Sequence, residues 1–425
     1  MVGFEITILV TKTTETMKHL IFKNYTLATL FMLLFGFVLA GCDDDDNGDN
    51  GGGIVPTGNS ETYTLASVSD HDISGEVTFH ELSDGTTSVE IDLTGTSSDQ
   101  TYPAHIHFNS AVEGGDIAVT LTSVDGNTGK STTIVTEADD QSGLSYEELL
   151  EFDGHVNVHL SPGDLQTLVA AGDIGGNELT GESVQYDLAS VSDPDIQGVA
   201  TFQERVNGET LVTIDLDNTA SGGTHPAHIH MNTAAEGGDI VVSLNSVNGE
   251  TGMSMTHVAK FDDGDALTYE ALISYDGYIN VHQSADNLGT LIAQGDIGQN
   301  ALTGESEAYD LTAVDVPGVT GTATFHKRAN DETLVVIDLA GTTFAGDHPA
   351  HIHVGSVAEA PGDIAISLSN VSSMGISSTN ITETDEGEAM TYDDLINYHG
   401  HINVHLSADD LATLVAQGDV GANVE

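Results

Sequence analysis

The chain has little positive charge, one cysteine and no tryptophan. Its 425 residues include 8 Lys and Arg against 67 Asp and Glu, a formal net charge of −59 at pH 7. Such a chain repels nucleic acid and anionic lipid headgroups, which excludes both as binding partners and favours cations. A single cysteine cannot form an intramolecular disulfide, so the stability of the fold must come from its apolar core.

The sequence also lacks the common short motifs of catalysis. It contains no GxSxG nucleophile turn, no phosphate-binding loop and no HExxH zinc motif. Hydrolytic and nucleotide-driven activities therefore have no support in the motif pattern, and a binding protein is the favoured interpretation.

The only cysteine, Cys42, ends a segment with the layout of an export signal. Lys18 and Lys23 precede an apolar stretch at 27–39, which is too short to span a bilayer comfortably. The sequence LAGC at 39–42 resembles a bacterial lipobox. The resemblance implies cleavage before Cys42 and attachment of a lipid to its thiol.

We therefore predict a signal peptide over 1–41, with Met17 as the true start, and a lipidated tether over 42–57. The acidic run DDDD that follows the cysteine resembles a surface-export signal of bacterial lipoproteins, and the next residues are rich in Gly, Asn and Asp. This implies a bacterial outer-membrane or cell-surface protein that is attached to the membrane through Cys42. The alternative is an uncleaved membrane-spanning anchor.

Three copies of one unit occupy the rest of the chain. Histidines recur at intervals of 123 residues, at 105, 228 and 351 and again at 159, 282 and 405. This period is far longer than a solenoid repeat and matches the size of an ordinary domain. We predict three domains over 58–180, 181–303 and 304–425.

Within each copy the pattern is mainly that of β-strands. Short runs of β-branched and alternating residues are separated by Gly, Asp and Asn, which indicates an all-β sandwich or barrel. Two short helices per copy are also predicted. One begins at Ser145, with Glu148 completing a capping box. The other covers 161–172, with Pro162 at its first position and Gly172 at its end.

The histidines fall in two of the predicted strands. Residues i and i+2 of a strand face the same side, so His105 and His107 share one face and Ile106 points to the other. In the later strand DGHVNVHLS, His159 lies on the polar face as well. If the two strands are neighbours, the three imidazoles converge.

Three neutral imidazoles that meet at one point form a site suited to copper or zinc. The predicted ligands, three per copy, are His105, His107, His159, His228, His230, His282, His351, His353 and His405. One aspartate follows the HxH pair in each copy, and its carboxylate could orient a ligand ring by accepting the proton of the second ring nitrogen. These aspartates are Asp116, Asp239 and Asp363. The alternative is a cluster of histidines that only form hydrogen bonds.

The motif AHIH followed by NVH in a β-rich unit of this length resembles the chordin-type (CHRD) domain. The likeness covers all three copies and is best matched by AHIHVG at 350–355. The family's usual terminal strand is replaced here by GDIG or GDVG. The family supplies no activity, so the resemblance implies a secreted binding module that recognises an unknown protein or glycan.

A more distant resemblance is to copper/zinc superoxide dismutase, which implies Greek-key β-sandwich domains. There an HVH pair and a later histidine bind copper, and His105, His107 and His159 match those positions. The metal-bridging and zinc-loop histidines have no counterpart. The arginines Arg205 and Arg328 fall in predicted hairpin turns, away from the histidines. Dismutase activity is therefore not expected.

Three hypotheses follow. The first is a surface lipoprotein with three binding modules and no catalytic activity. The second is a copper-dependent redox enzyme that uses the same histidines. The third is a calcium-stabilised adhesion protein, since the surface is acidic and FDDGDAL at 261–267 is rich in Asp, although this stretch lacks the full calcium-loop spacing.

Overall fold

A computed structural model describes residues 53–69, 71–192, 195–341 and 346–424. The predicted signal peptide, and the predicted tether as far as residue 52, including Cys42, lie outside the described residues. Within the described ranges, no helix has the length and apolar character needed to cross a bilayer.

The described residues form three successive sets of eight strands. The first set, with one short helix, is β1 (Pro56–Ser67), β2 (Ser74–Leu82), β3 (Thr87–Thr94), β4 (Thr101–Phe108), β5 (Ile117–Asp125), β6 (Lys130–Val135), α1 (Tyr146–Leu150), β7 (Asp153–Ser161) and β8 (Asp164–Gly175). The second set is β9 (Leu179–Ser190), β10 (Gly198–Arg205), β11 (Thr210–Leu216), β12 (Thr224–Met231), β13 (Ile240–Asn248), β14 (Met253–Val258), α2 (Tyr269–Leu272), β15 (Asp276–Ser284) and β16 (Asn287–Gly298).

The third set is β17 (Leu302–Ala313), β18 (Thr320–Arg328), β19 (Thr333–Ala340), β20 (His348–Val354), β21 (Ile364–Val371), β22 (Ile376–Ile381), α3 (Tyr392–Ile396), β23 (His399–Ser407) and β24 (Asp410–Gly421). A turn of 3₁₀ helix, Val357–Glu359, lies between β20 and β21. The prediction of three repeated all-β units is confirmed.

The eight strands of the first repeat close into an antiparallel barrel in the order β1-β2-β3-β6-β5-β4-β7-β8. The second and third repeats keep the same sequence of neighbours, and their sheets are open between the strands equivalent to β5 and β6. In every repeat the strand carrying HxH therefore lies directly beside the strand carrying NVH.

Alternation of side chains places an apolar face of each strand inside its own repeat. In the first repeat Ile106 of β4 and both Val156 and Val158 of β7 have no exposed surface. The equivalent side chains of the other repeats are equally buried, and each repeat has a separate core. The predicted assignment of the isoleucine between the paired histidines to the core is confirmed.

The first predicted helix is present and the second is not. Helix α1 begins as expected: the Ser145 hydroxyl oxygen accepts a hydrogen bond from the Glu148 amide, and the Glu148 carboxylate accepts one from the Ser145 amide. Residues 161–172, predicted to be helical, instead turn from β7 into β8, and Ser161 pairs with Asp164 across a two-residue turn. Among its described residues, each repeat thus has one short α-helix where two were predicted.

The physical reason is that Pro162 and Gly163 form a tight hairpin turn, and strand pairing outweighs the helix propensity of the Leu- and Ala-rich sequence that follows. Asp164 supports this turn by accepting hydrogen bonds from the amide and the hydroxyl of Thr167. The residues after the turn are needed as a strand because Val169 and Ala170 are fully buried in the barrel.

Replacing Ile106 by Ala should lower the free energy of unfolding by about 2–5 kcal/mol, because it leaves a cavity in the core of the first repeat. Ile134, also a strand residue of the first repeat, is 54% exposed, so Ile134→Ala should change it by less than about 1 kcal/mol. Urea denaturation followed by far-ultraviolet circular dichroism measures both. Similar losses in the two variants would contradict the placement of β4.

Candidate metal centres

Antiparallel pairing of β4 with β7 aligns the two histidine-bearing strands. His105 lies opposite Asn157, and His107 lies opposite His155. Ile106 faces Val156 on the buried side of the same pair. The imidazoles therefore stand on the outer face of the sheet, as the alternation of residue types predicts.

The predicted ligands converge in each repeat. In the first, one nitrogen from each of His105, His107 and His159 lies within 4.8 Å of the others, and the ring centroids of His105 and His159 are 5.0 Å apart. Nitrogens that share a tetrahedral zinc ion are about 3.4 Å apart. Small side-chain adjustments would bring these atoms to that spacing. The same grouping recurs in the other repeats, as His228, His230 and His282, and as His351, His353 and His405.

Irregular strand pairing helps to bring the rings together. The register between β4 and β5 shifts between Ile106 and His107, and that between β7 and β8 shifts between Val158 and His159. Both shifts recur in the other two repeats. A bulge rotates the side chain that follows it, and bulges of this kind are common beside functional sites.

The second histidine of each pair has its tautomer fixed by the backbone. Nδ1 of His107 lies 2.9 Å from the carbonyl oxygen of Gly115, and that of His230 lies 2.9 Å from the carbonyl oxygen of Gly238. A carbonyl oxygen only accepts, so Nδ1 must carry the proton and Nε2 keeps its lone pair. His353 has the equivalent contact, at 3.2 Å.

In the second and third repeats the late histidine is oriented in the same way. Nδ1 of His282 donates to the carbonyl oxygen of Leu288, and Nδ1 of His405 donates to that of Leu411, each over 2.7 Å. In both residues Nε2 is buried without a hydrogen-bond partner. The ring is therefore held with its lone pair directed away from the backbone.

The first histidine of each pair completes the set. Nδ1 of His228 and Nδ1 of His351 are buried and have no hydrogen-bond partner. In the first repeat, Nδ1 of His105 lies 3.1 Å from Nε2 of His159, a hydrogen bond between two ligands. That bond is the alternative predicted for the cluster, and a metal ion would have to replace it.

Burial favours the neutral form of several of these imidazoles. It lowers the pKa of His105, and the neighbouring His159 and His107 lower it further because like charges repel. The pKa is lowered with burial as the main cause in five more cluster residues, namely His159, His228, His282, His351 and His353. Neutral imidazole is the form that binds metal.

The aspartates predicted to orient the rings are exposed. In the first repeat Asp116 lies at the end of the loop, and the carbonyl that receives the His107 ring proton belongs to the preceding Gly115. The residues preceding Asp239 and Asp363 act likewise. A backbone carbonyl orients a ligand histidine as well as a carboxylate does.

The sequence interpretation missed another carboxylate. Asp139 accepts hydrogen bonds from the amide and the hydroxyl of Thr120, and Thr120 is the strand partner of His105. Its negative charge raises the pKa of His105 and so opposes the effect of burial. The 123-residue spacing of the repeats could have identified this carboxylate, because it recurs as Asp262 and Asp385. These two residues make the same pair of contacts with Ser243 and Ser367.

An aromatic ring stacks against the second histidine in every repeat. His155 lies over His107 with ring centroids 5.1 Å apart, Tyr278 over His230 at 4.9 Å, and His401 over His353 at 5.2 Å. None of these rings belongs to the groups of converging ligand atoms. They therefore pack against a ligand, which explains why Tyr replaces His at this position.

Comparison of the chain with protein-family models, with curated proteins and with solved structures found no match. The functional argument therefore rests on the side chains themselves.

Acidification should destabilise the metal-free protein. The pKa values of His105, His228 and His351 are lower in the folded chain than the ordinary value of 6.5, mainly because these rings are buried. Below about pH 6.5 the unfolded chain therefore binds more protons, and the free energy of unfolding falls as pH drops through the folded-state pKa. Above about pH 6.5 these histidines do not make the free energy of unfolding depend on pH.

Urea denaturation at pH 7.5 and 5.5, in the presence of chelator, tests this. The variant His105→Gln/His228→Gln/His351→Gln should lose less stability on acidification than the wild type. A control with the exposed histidines changed, His71→Gln/His399→Gln, should lose as much as the wild type. Equal losses in the wild type and the cluster variant would contradict the assignment.

Proposed function

We propose that the protein is a lipid-anchored surface protein whose three repeats each bind one transition-metal ion. The observation that carries this proposal is a set of ring nitrogens that are buried without hydrogen-bond partners, in His228 and His282 of the second repeat and in His351, His353 and His405 of the third. A buried polar atom without a partner costs about 1–3 kcal/mol. Unpartnered nitrogens recur at equivalent histidines of the two repeats. A bound metal ion would supply the missing interaction in each.

The donor set favours copper or zinc. Imidazole nitrogen suits both ions, whereas calcium and magnesium prefer oxygen ligands. Three protein ligands leave at least one coordination position for water or another group. The acidic surface would concentrate cations near the protein, and imidazole in its neutral form accepts a cation without repulsion.

We propose a binding role in preference to an enzymatic one. Both arginines are fully buried and so cannot guide an anionic substrate, and the net charge of −59 repels one. The second candidate is a copper-dependent redox enzyme, which the open coordination position favours. Turnover of superoxide by the copper-loaded protein well above that of free copper would support the second candidate over the first.

We further propose that each repeat is a Greek-key β-sandwich of the chordin type, distantly like copper/zinc superoxide dismutase. The adjacency of the HxH and NVH strands supports this relationship. The lipid anchor at Cys42 and the surface location are proposals that rest on the sequence of the first 57 residues. The tether would hold the three repeats away from the membrane.

The purified protein should bind about three copper or zinc ions per chain, one for each repeat. The variant His107→Ala/His230→Ala/His353→Ala should bind none tightly, because it removes one ligand from every centre. Equilibrium dialysis with elemental analysis measures the ratio. Electron paramagnetic resonance of the copper form reports nitrogen ligands.

A matched control changes three histidines outside the clusters, as His71→Ala/His80→Ala/His399→Ala. It should keep the wild-type ratio of about three ions per chain. Loss of metal from this control alone, or an unchanged ratio in the cluster variant, would refute the proposed centres.

A further inference from the structure

The chain contains only two arginines, Arg205 and Arg328, and each is completely buried where one repeat meets the next. Arg205 ends β10 of the second repeat and reaches into the first. Its guanidinium donates to the carboxylate of Asp173 over 2.7 Å and to the carbonyl oxygen of Asn177. Both bonds are made by Nη1, whereas Nε and Nη2 are buried without a hydrogen-bond partner, so the buried charge depends on Asp173 as its partner.

The carboxylate that receives Arg205 also holds a loop of the metal centre. The second oxygen of Asp173 accepts a hydrogen bond from the Ala111 amide over 2.7 Å. Ala111 lies in the loop between β4 and β5, and Gly115 of the same loop accepts the ring proton of His107. A continuous series of contacts thus leads from the arginine of the second repeat to a ligand of the first.

A second route leads to the same ring. Asp173 is the strand partner of His155, and His155 stacks on His107. The buried ion pair is therefore connected to His107 by two routes. One is the loop whose carbonyl orients the His107 ring, and the other is the strand pairing that supports His155, the ring stacked on His107.

The second joint repeats this arrangement. Arg328 donates to Asp296 over 2.7 Å, and the other oxygen of Asp296 accepts from the Ala234 amide over 2.8 Å. Ala234 and Gly238 belong to one loop, and the Gly238 carbonyl accepts the ring proton of His230. Tyr278, which stacks on His230, is the strand partner of Asp296.

The third repeat has the aspartate without an arginine. Asp419 accepts from the Val357 amide over 2.6 Å, as its counterparts do. Both arginines of the chain are already engaged at the two joints. The bond from His353 to the Gly362 carbonyl is 3.2 Å, against 2.9 Å in the other repeats, and this loop contains one more residue.

We propose that Arg205 and Arg328 are positioning residues for the metal centres of the repeats that precede them, so that the first two centres bind metal more tightly than the third. This inference rests on the proposed function. It makes the three centres unequal although their ligands are the same, and it makes affinity depend on an intact joint between repeats.

Simple electrostatics predicts the opposite result, which makes the proposal testable. Removing a positive charge near a cation site would strengthen binding through Coulomb attraction, and more so because Asp173 would remain negative. Removing a positioning contact would weaken binding because the loop and the His107 ring lose their fixed orientation. The sign of the change therefore separates the two effects.

The experiment uses full-length chains in which one centre remains. His230→Ala/His353→Ala leaves the first centre, and His107→Ala/His353→Ala leaves the second. Arg205→Leu is added to each, since Leu82 occupies the equivalent position of the first repeat. Zinc affinity is measured by competition with a chromophoric chelator, and folding is checked by thermal melting.

Arg205→Leu should weaken zinc binding at the first centre at least about threefold, a modest part of the roughly 10–100-fold effect of losing a direct partner of a ligand histidine. It should leave the second centre unchanged, although Arg205 belongs to the second repeat. Arg328→Leu should weaken the second centre and leave the first. Unchanged or tighter binding at the preceding centre, or equal losses at both, would overturn the proposal.

A comparison without an arginine substitution covers the case in which Arg205→Leu does not fold. The chain that keeps only the third centre, His107→Ala/His230→Ala, should bind zinc more weakly than the other two single-centre chains. Equal affinity of the three would overturn the inference and leave the proposed function intact. Failure of all three to bind zinc or copper would overturn both.

Discussion

Antiparallel pairing of β4 with β7 places Ile106 opposite Val156, and the burial of that pair decides where the histidines point. Because side chains alternate along a strand, enclosing the isoleucine forces His105 and His107 to the outer face. The neighbouring strand adds His159 on the same face. A slip of one residue in either strand would exchange the two faces and lose both the core and the cluster.

The cluster is unfavourable by itself and is maintained by the barrel around it. Bulges before His107 and His159 interrupt regular pairing, and several ring nitrogens are buried without partners. In the second and third repeats, carbonyl oxygens from two loops accept the Nδ1 proton of the second and the late histidine, and Nε2 of each ring keeps its lone pair. Such an arrangement suits a metal ligand, because the energetic cost is met in folding and would be recovered if an ion bound.

Much of this arrangement was predictable, because it depends on local patterns. The alternation around Ile106, the capping box at Ser145 and the period of 123 residues gave the strands, the first helix and the three repeats. Residues 161–172 were predicted wrongly because a Leu- and Ala-rich run has helical propensity, whereas its structure is set by pairing with distant strands. The contact of Arg205 with Asp173 was also hidden, since a position in a predicted hairpin does not reveal which neighbouring repeat the side chain enters.

The most direct test of the account is X-ray absorption spectroscopy of the protein loaded with one equivalent of copper or zinc per repeat. Three imidazole nitrogens should appear at about 2.0–2.1 Å from the ion, together with a lighter contribution from water or another group. A spectrum dominated by oxygen ligands, without the multiple scattering typical of imidazole, would place the ion on the acidic surface and contradict the three-histidine centres.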